Sequence, residues 1–140
     1  MQTTCAFCSQ EVKDRAIQEG SFSIVLLSNP RLSRGHLLVI PKRHVQLFSE
    51  LTEDEIREMS AFLAAYQKKV VDKLATGTEI RQNYRPEKKD SRTHVNHFHF
   101  NLMPRSAGDE LEQEVDSHRR LLYKELTEEE KSEITKLLVS

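Results

Sequence analysis

The hydrophobic positions of this chain follow two different periods, which predicts a protein built of both strands and helices. Several short apolar or alternating runs are bounded by Gly20, Gly35, Pro41 and Pro104, which are residues that interrupt regular structure. The predicted strands are residues 15–18, 21–27, 36–40, 79–84 and 95–103.

A long amphipathic helix is the clearest single element. Thr52 and Glu55 form a capping box, in which each side chain accepts a hydrogen bond from the other residue's backbone N–H. Behind them apolar residues recur three or four positions apart, which predicts a helix over residues 53–74. From residue 109 the chain again has a helical pattern, with a second capping box at Thr127 and Glu130. This segment is predicted to form two helices or one bent helix.

Together these elements predict an α+β fold, with a mainly antiparallel sheet of about five strands, one long helix and C-terminal helices. A chain of 140 residues suits a single domain. Its 21 basic and 22 acidic residues leave a net charge of −1, so composition supports neither a nucleic-acid partner nor a membrane partner. The apolar runs are far shorter than a membrane helix, and residues 1–10 lack the features of a signal peptide. We therefore expect a cytoplasmic protein.

Histidines are concentrated ahead of Pro104, where three of the six lie within residues 94–99. Side chains alternate along a strand, so one face of the predicted strand is polar and the other is apolar. The polar face carries His97, His99 and Asn101, and the apolar face carries Phe98, Phe100 and Leu102. We expect the apolar face to pack on the core. The polar face then lines a cleft that binds a metal or carries out acid–base or nucleophilic chemistry.

Three blocks of the sequence resemble one known family. HFHFNLMPR, at residues 97–105, is similar to the histidine triad (HIT) motif, and GHLLVIPKRH, at residues 35–44, is similar to that family's second signature. CAFC, at residues 5–8, is similar to the start of its zinc-containing members. The resemblance implies a HIT-like nucleotide-binding domain over residues 1–105, with residues 106–140 as a helical extension packed on the same domain.

The resemblance also implies a homodimer. In this family two chains usually pair into one continuous antiparallel sheet, and the helix at residues 53–74 is the expected dimer contact. The alternative is an amphipathic helix that serves only its own core.

Three residues are implied to be catalytic. His99 matches the middle histidine of the motif, which attacks the α-phosphorus of a nucleotide and forms a nucleotidyl-histidine. His36 matches the histidine of the second signature, which hydrogen-bonds within the histidine cluster. Asn101 stands in the place of the third histidine, and an amide donates hydrogen bonds but cannot deliver a proton. This departure favours a good leaving group, such as a polyphosphate, over a poor amine.

A structural zinc site is implied at Cys5, Cys8, His44 and His97. Two cysteines and two histidines make a closed tetrahedral set, which is typical of structural zinc, and no catalytic cofactor is expected. A pair of free thiols is the alternative. His94 lies outside the matched pattern, either as a surface residue or as a substitute ligand.

The ribose site is expected shortly before His36, where relatives carry Asp or Asn. Asn29 or Ser28 is the candidate in this sequence. Asn83 resembles the asparagine that ends the strand before the triad, and His97 is also a candidate substrate-binding residue.

The loop at residues 84–93 departs from the Gly-rich loop of relatives because it is longer and more charged. Ser91 and Thr93 are candidate donors in place of the family's glutamine. The basic side chains of the loop either meet additional phosphates or form a solvated surface; they are Arg85, Lys88, Lys89 and Arg92.

The sequence thus predicts a nucleotide hydrolase or transferase that acts at the α-phosphate of a purine nucleotide conjugate. Dinucleoside polyphosphates are the first candidate substrates, nucleoside phosphoramidates the second, and a phosphorolytic transferase reaction is the third possibility. Two alternatives stay open: a nucleotide-binding module that lost catalysis with the third histidine, and a hydrolase whose catalytic metal is held by His97 and His99.

Overall fold

A five-stranded antiparallel sheet organises the first of two compact units in the computed structural model, which describes residues 5–139. The first unit ends at residue 107 and the second begins at residue 108. In chain order the strands are β1 (Gln18–Glu19), β2 (Ser23–Leu27), β3 (Leu37–Pro41), β4 (Gly77–Arg81) and β5 (Phe100–Arg105). They pair in the order β1-β2-β3-β5-β4, so β5 lies between β3 and β4. The predicted fold class and the approximate strand count are confirmed.

Both faces of the sheet are covered, which explains why β2 and β3 are almost continuously apolar. One face packs against the long helix α2 (Glu53–Lys73), through Val39 and Leu102 of the sheet and Met59 of the helix. The other face packs against the short helix α1 (Gln10–Asp14), and Val12 joins the apolar side chains of β2 and β3 there.

The capping box predicted for α2 is present. Thr52 Oγ1 accepts a hydrogen bond from the Glu55 N–H at 3.1 Å, and Glu55 Oε1 accepts one from the Thr52 N–H at 2.9 Å. The buried Glu55 carboxylate also accepts two hydrogen bonds from the Arg43 guanidinium, at 2.8 and 2.9 Å. The helix begins where the sequence predicts, because the capping box fixes its first turn. It ends one residue before the predicted end.

The prediction of a strand over residues 95–103 is wrong at both ends. Residues 95–99 lie outside the sheet, and the Phe98 N–H donates to the Val45 carbonyl at 2.6 Å instead of to a neighbouring strand. β5 continues through Pro104 because the pairing with β3 runs only from Phe100 to Leu102. Beyond Leu102, β5 pairs only with β4, so Pro104 lies on a stretch that has a partner strand on one side alone. Such edge positions tolerate proline, which has no N–H.

Smaller differences affect the other strands. β4 begins at Gly77, directly after α2, because Gly77 pairs with Arg105 at the far end of β5. It ends at Arg81, opposite Asn101, since β5 begins one residue before Asn101 and offers little further pairing. The first predicted strand, residues 15–18, is displaced to β1 at Gln18–Glu19.

The second unit contains two helical segments, one of the two arrangements that the sequence left open. The first runs from a five-residue π-helix (Glu112–Asp116) through α3 (Ser117–Arg119) into a 3-10 turn (Arg120–Leu122). The second is α4 (Glu128–Val139), and its predicted cap is visible because Thr127 Oγ1 accepts from the Glu130 N–H at 3.1 Å. None of the helices within residues 5–139 has the length and apolar character needed to cross a bilayer.

Candidate active site and metal site

Four donor atoms from distant parts of the chain converge in the first unit. Cys5 and Cys8 belong to the 3-10 turn at the start of the described chain, while His44 follows β3 and His97 precedes β5. His44 Nδ1 and His97 Nδ1 are 3.2 Å apart, and His97 Nδ1 is 3.4 Å from Cys5 Sγ and 3.5 Å from Cys8 Sγ. Tetrahedral zinc with ordinary bond lengths separates two nitrogens by about 3.3 Å and a nitrogen and a sulfur by about 3.5 Å. These four residues form a possible zinc site, as predicted.

The protonation of His97 also suits a metal ligand. Its Nε2 lies 2.9 Å from the Pro41 carbonyl and donates to it, so Nδ1 keeps its lone pair and faces the cluster. Burial lowers the pKa of His97 to about 4, so its ring is neutral at neutral pH. Burial raises the pKa of Cys5 to about 11, and a bound cation supplies the positive charge that favours its thiolate. Because both nitrogens of His97 are engaged in this way, the alternative of a catalytic metal shared by His97 and His99 does not fit.

The hydrogen bonding of His99 leaves one of its ring nitrogens free. Its Nδ1 donates to the His97 carbonyl at 2.7 Å, which leaves Nε2 as the nitrogen with a free lone pair. Burial lowers the pKa of His99, which favours the neutral, nucleophilic ring. Phe7, from the turn that carries the two cysteines, packs its ring edge-on against His99 at 5.1 Å between centroids. The turn that carries the two cysteines of the possible zinc site therefore also packs against His99.

His36 and Asn101 are linked in a series of hydrogen bonds at a cavity that His99 also lines. The Leu32 N–H donates to His36 Nδ1 at 3.1 Å, and His36 Nε2 donates to Asn101 Oδ1 at 2.9 Å. Burial lowers the pKa of His36, which favours the neutral tautomer that these two bonds require. The amide oxygen of Asn101 is thereby committed to His36, and its Nδ2 donates toward the Arg81 carbonyl at 3.4 Å. One hydrogen of the Asn101 amide is thus left for a molecule in the cavity that Asn101 and His99 both line.

An open cavity of about 300 Å³ brings these residues together. Of the predicted site residues, those that line it are His36, His99, Asn101, Ser28, Asn29, Asn83 and Thr93. Ser91 and His97 lie outside this lining. Ser91 Oγ approaches Thr93 Oγ1 at 3.3 Å, and His97 belongs to the four-donor cluster. The binding roles proposed for these two residues stay predictions.

The cavity lining is rich in arginine, a property that the sequence analysis largely missed. Four arginines line the cavity, and none of the lining residues within 5–139 is acidic; the arginines are Arg15, Arg31, Arg81 and Arg92. Arg15 pairs with Glu11 and Arg81 with Glu79, which leaves two lining arginines without an ion pair to another of residues 5–139. Only Arg92 belongs to the loop singled out from the sequence. Arg81 lies there because β4 pairs it with Asn101, and only the strand register could have revealed this.

The remaining basic residues of the loop have different surroundings. Arg85 pairs with Glu87 at 2.5 Å, and Lys88 and Lys89 are exposed and lie outside the cavity lining. His94 is part of the lining and is absent from the four-donor cluster, so the idea that it substitutes for a zinc ligand is not supported.

Two comparisons of the sequence with known proteins identify the same family. The model of the HIT domain family matches residues 9–108. An uncharacterised HIT-like protein of Methanocaldococcus jannaschii is 33% identical over 112 residues, which cover 75% of this chain and 81% of that protein.

Solved structures share the fold. A HIT family protein from Bacillus anthracis superposes with a TM-score of 0.70 at 19% identity, covering 99% of this chain and 97% of that one. A zinc-bound histidine triad family protein from Mycobacterium smegmatis superposes with a TM-score of 0.64 at 26% identity, covering 77% and 79%. The zinc in that relative agrees with the four-donor cluster found here.

Proposed function

Because the chain belongs to the HIT domain family, we propose that it is a nucleotide hydrolase or transferase that works through a nucleotidyl-histidine on His99. The observation that carries this proposal is the state of the His99 ring. Its Nδ1 is tied to the His97 carbonyl, so its Nε2 is the free nucleophile at a cavity lined by four arginines. Arginine is the side chain best suited to bind phosphate oxygens.

The proposed reaction has two steps. In the first, the lone pair of His99 Nε2 forms a bond to the α-phosphorus, and the bond from phosphorus to the leaving group breaks with its electron pair. In the second, water or inorganic phosphate attacks the same phosphorus, and the electron pair of the P–N bond returns to His99. The cavity arginines and the remaining amide hydrogen of Asn101 stabilise the charge on the phosphoryl oxygens.

The zinc site has a supporting role in this proposal. Zinc held by Cys5, Cys8, His44 and His97 supplies a cross-link between the start of the chain and the segment that precedes β5. His97 is both a ligand through Nδ1 and, through its backbone carbonyl, the acceptor for His99. A fixed His97 therefore fixes the tautomer of the nucleophile.

Dinucleoside polyphosphates are the substrate class that this site favours. Asn101 itself cannot deliver a proton, and a polyphosphate leaving group departs as an anion that needs none. Arg31 and Arg92 are exposed and make no ion pair with another of residues 5–139, so they are available to additional phosphates. Nucleoside phosphoramidates are the second candidate, and transfer to inorganic phosphate is the third.

The test is a nucleotide panel assayed with a chelator present. It contains diadenosine polyphosphates, an adenosine phosphoramidate and an ADP-sugar, each with and without added phosphate. We compare wild type with His99→Ala, and use His118→Ala, a histidine of the second unit, as the matched control. Turnover that is lost only in His99→Ala supports the proposal, and a nucleoside diphosphate formed only with phosphate identifies a phosphorylase. The absence of turnover with every substrate, with nucleotide binding retained, would replace the enzyme with a nucleotide-binding module.

We also propose that the chain forms a homodimer through α2 and the edge strand β4. Val71 on α2, Leu74 directly after that helix and Ile80 on β4 are large apolar residues that remain between 43% and 48% exposed. Light scattering tests this directly, because a dimer has twice the 16.3 kDa of the single chain.

A further inference from the structure

Two proton transfers of the proposed reaction have no assigned residue. A leaving amine, as in a phosphoramidate, must be protonated as it departs, and with any substrate the water that attacks in the second step must lose a proton. Asn101 can do neither. Among the residues of 5–139 that line the cavity, the histidines are His36, His94 and His99. His99 acts as the nucleophile, and both nitrogens of His36 are occupied by Leu32 and Asn101.

His94 is the remaining histidine, and its ring is held in a defined orientation. Its Nε2 lies 3.0 Å from Asn96 Oδ1. The amide of Asn96 is oriented by its own donor, because its Nδ2 donates to the Lys88 carbonyl at 2.9 Å. Asn96 Oδ1 therefore accepts a hydrogen bond from His94 Nε2. This leaves His94 Nδ1 to exchange a proton with a molecule in the cavity.

The loop that carries His94 is closed by its own hydrogen bonds. The Ser91 N–H donates to the His94 carbonyl at 2.7 Å, and the two residues form an isolated β-bridge. The Asn96 N–H donates to Asp90 Oδ1 at 3.0 Å. The half-buried His94 is thus fixed on a structured loop. Asp90 and Arg92 are the charged residues of this loop that are nearest to His94 along the sequence.

His94 and His99 line the same cavity, so a molecule bound there can meet both rings. A proton donor beside a neutral nucleophile is the combination that acid-assisted nucleophilic attack needs.

We propose that His94 is a catalytic residue that serves as general acid and then as general base, in the role that Asn101 cannot fill. This inference rests on the proposed function. In the first step His99 Nε2 bonds to phosphorus, the bond to the leaving oxygen or nitrogen breaks, and that atom takes the proton of His94 Nδ1. In the second step the neutral His94 removes a proton from the attacking water, the new P–O bond forms, and the P–N pair returns to His99. His94 ends the cycle protonated, as it began.

The test compares two adenylate esters or amides that differ only in the leaving group. An alkylamine phosphoramidate of AMP needs a proton on its leaving nitrogen, whereas the p-nitrophenyl ester of AMP releases a stable anion. For His94→Gln we expect a loss of about 100- to 10,000-fold on the phosphoramidate. On the p-nitrophenyl ester we expect an unchanged initial burst of p-nitrophenolate, followed by slowed turnover, because only the second step still needs the base.

Controls separate the outcomes. His118→Gln is the matched histidine substitution outside the cavity, and circular dichroism and AMP binding report whether each variant is folded. An equal loss of the burst and of phosphoramidate cleavage in a folded His94→Gln would show a merely structural role and overturn the proposal, as would full activity on both substrates. If His99→Ala keeps the burst, the nucleotidyl-histidine itself is wrong, and that failure is distinct from a failure of the His94 assignment.

Discussion

A single zinc ion held by Cys5, Cys8, His44 and His97 would link unfolding of the chain to the concentration of free zinc. A ligand that binds one site in the folded state stabilises it by RT ln(1 + [L]/Kd). Above the dissociation constant, each tenfold rise in free zinc therefore raises the free energy of unfolding by about 1.4 kcal/mol. The structure sets this slope because it offers one four-donor cluster per chain within residues 5–139. Over three decades of free zinc the expected increase is about 4 kcal/mol.

Urea unfolding in zinc buffers, with a reductant present, measures this increase. His44→Gln is the informative variant, because His44 is exposed and its replacement removes a ligand without opening the core. His118→Gln is the control, since His118 is exposed in the second unit. We expect the control to follow wild type. In His44→Gln the rise should begin only at a free-zinc concentration at least about tenfold higher.

Two results would refute the reasoning. Stability of the wild type that does not change with free zinc would mean that the cluster binds no zinc in the folded state. A His44→Gln curve that coincides with wild type would mean that zinc binds elsewhere. Metal analysis of the purified chain gives an independent check, with one zinc per chain expected in wild type.

Three further predictions concern the fold and the cavity. Gly35→Ala should lower the free energy of unfolding by roughly 1–3 kcal/mol in urea titrations, because Gly35 has φ of +86° and an added Cβ would lie 3.0 Å from Leu74. The free energy of unfolding should fall as pH is lowered from 7 toward 5, because the pKa of buried His36 is lowered by burial and the unfolded chain takes up the proton first. Titrations of His36→Gln at the same pH values should show a smaller fall, and an identical fall would contradict this origin. Arg92→Ala should raise KM for a diadenosine polyphosphate by about tenfold and change KM for a single-phosphate AMP ester much less, if its guanidinium meets a distal phosphate.

The sequence was sufficient for the parts of the fold that local rules determine. The capping box at Thr52 and Glu55 fixes the start of α2, and the apolar period carries the helix to within one residue of its predicted end. The zinc ligands could be proposed because the Cys pair, His44 and His97 match known motif spacings. These features depend on residues near one another in sequence or on a known family, so no tertiary information was needed.

The remaining features depend on contacts that a one-dimensional pattern does not contain. Residues 95–99 have the alternating pattern of a strand. However, His97 belongs to the four-donor cluster, and the Phe98 N–H donates to the Val45 carbonyl. The strand therefore starts only at Phe100. The cavity arginines come from four separate segments, and only the register of β4 on β5 places Arg81 beside Asn101. The packing of Phe7 on His99 likewise requires the turn between the two cysteines to dock.

The distance along the chain between the metal ligands has a consequence for biosynthesis. Cys5 contacts His97 across 92 residues, and Cys8 does so across 89. At about 5–20 residues per second, a ribosome takes on the order of 5–20 s to make the intervening segment after the cysteine pair. His44 follows Cys8 after only 36 residues, so for most of that interval the incomplete site consists of the two thiols and His44, without His97. We therefore expect maturation of this chain to be sensitive to the redox state and metal supply around the nascent polypeptide. His99 is synthesised two residues after His97, the last of the four residues of the possible zinc site.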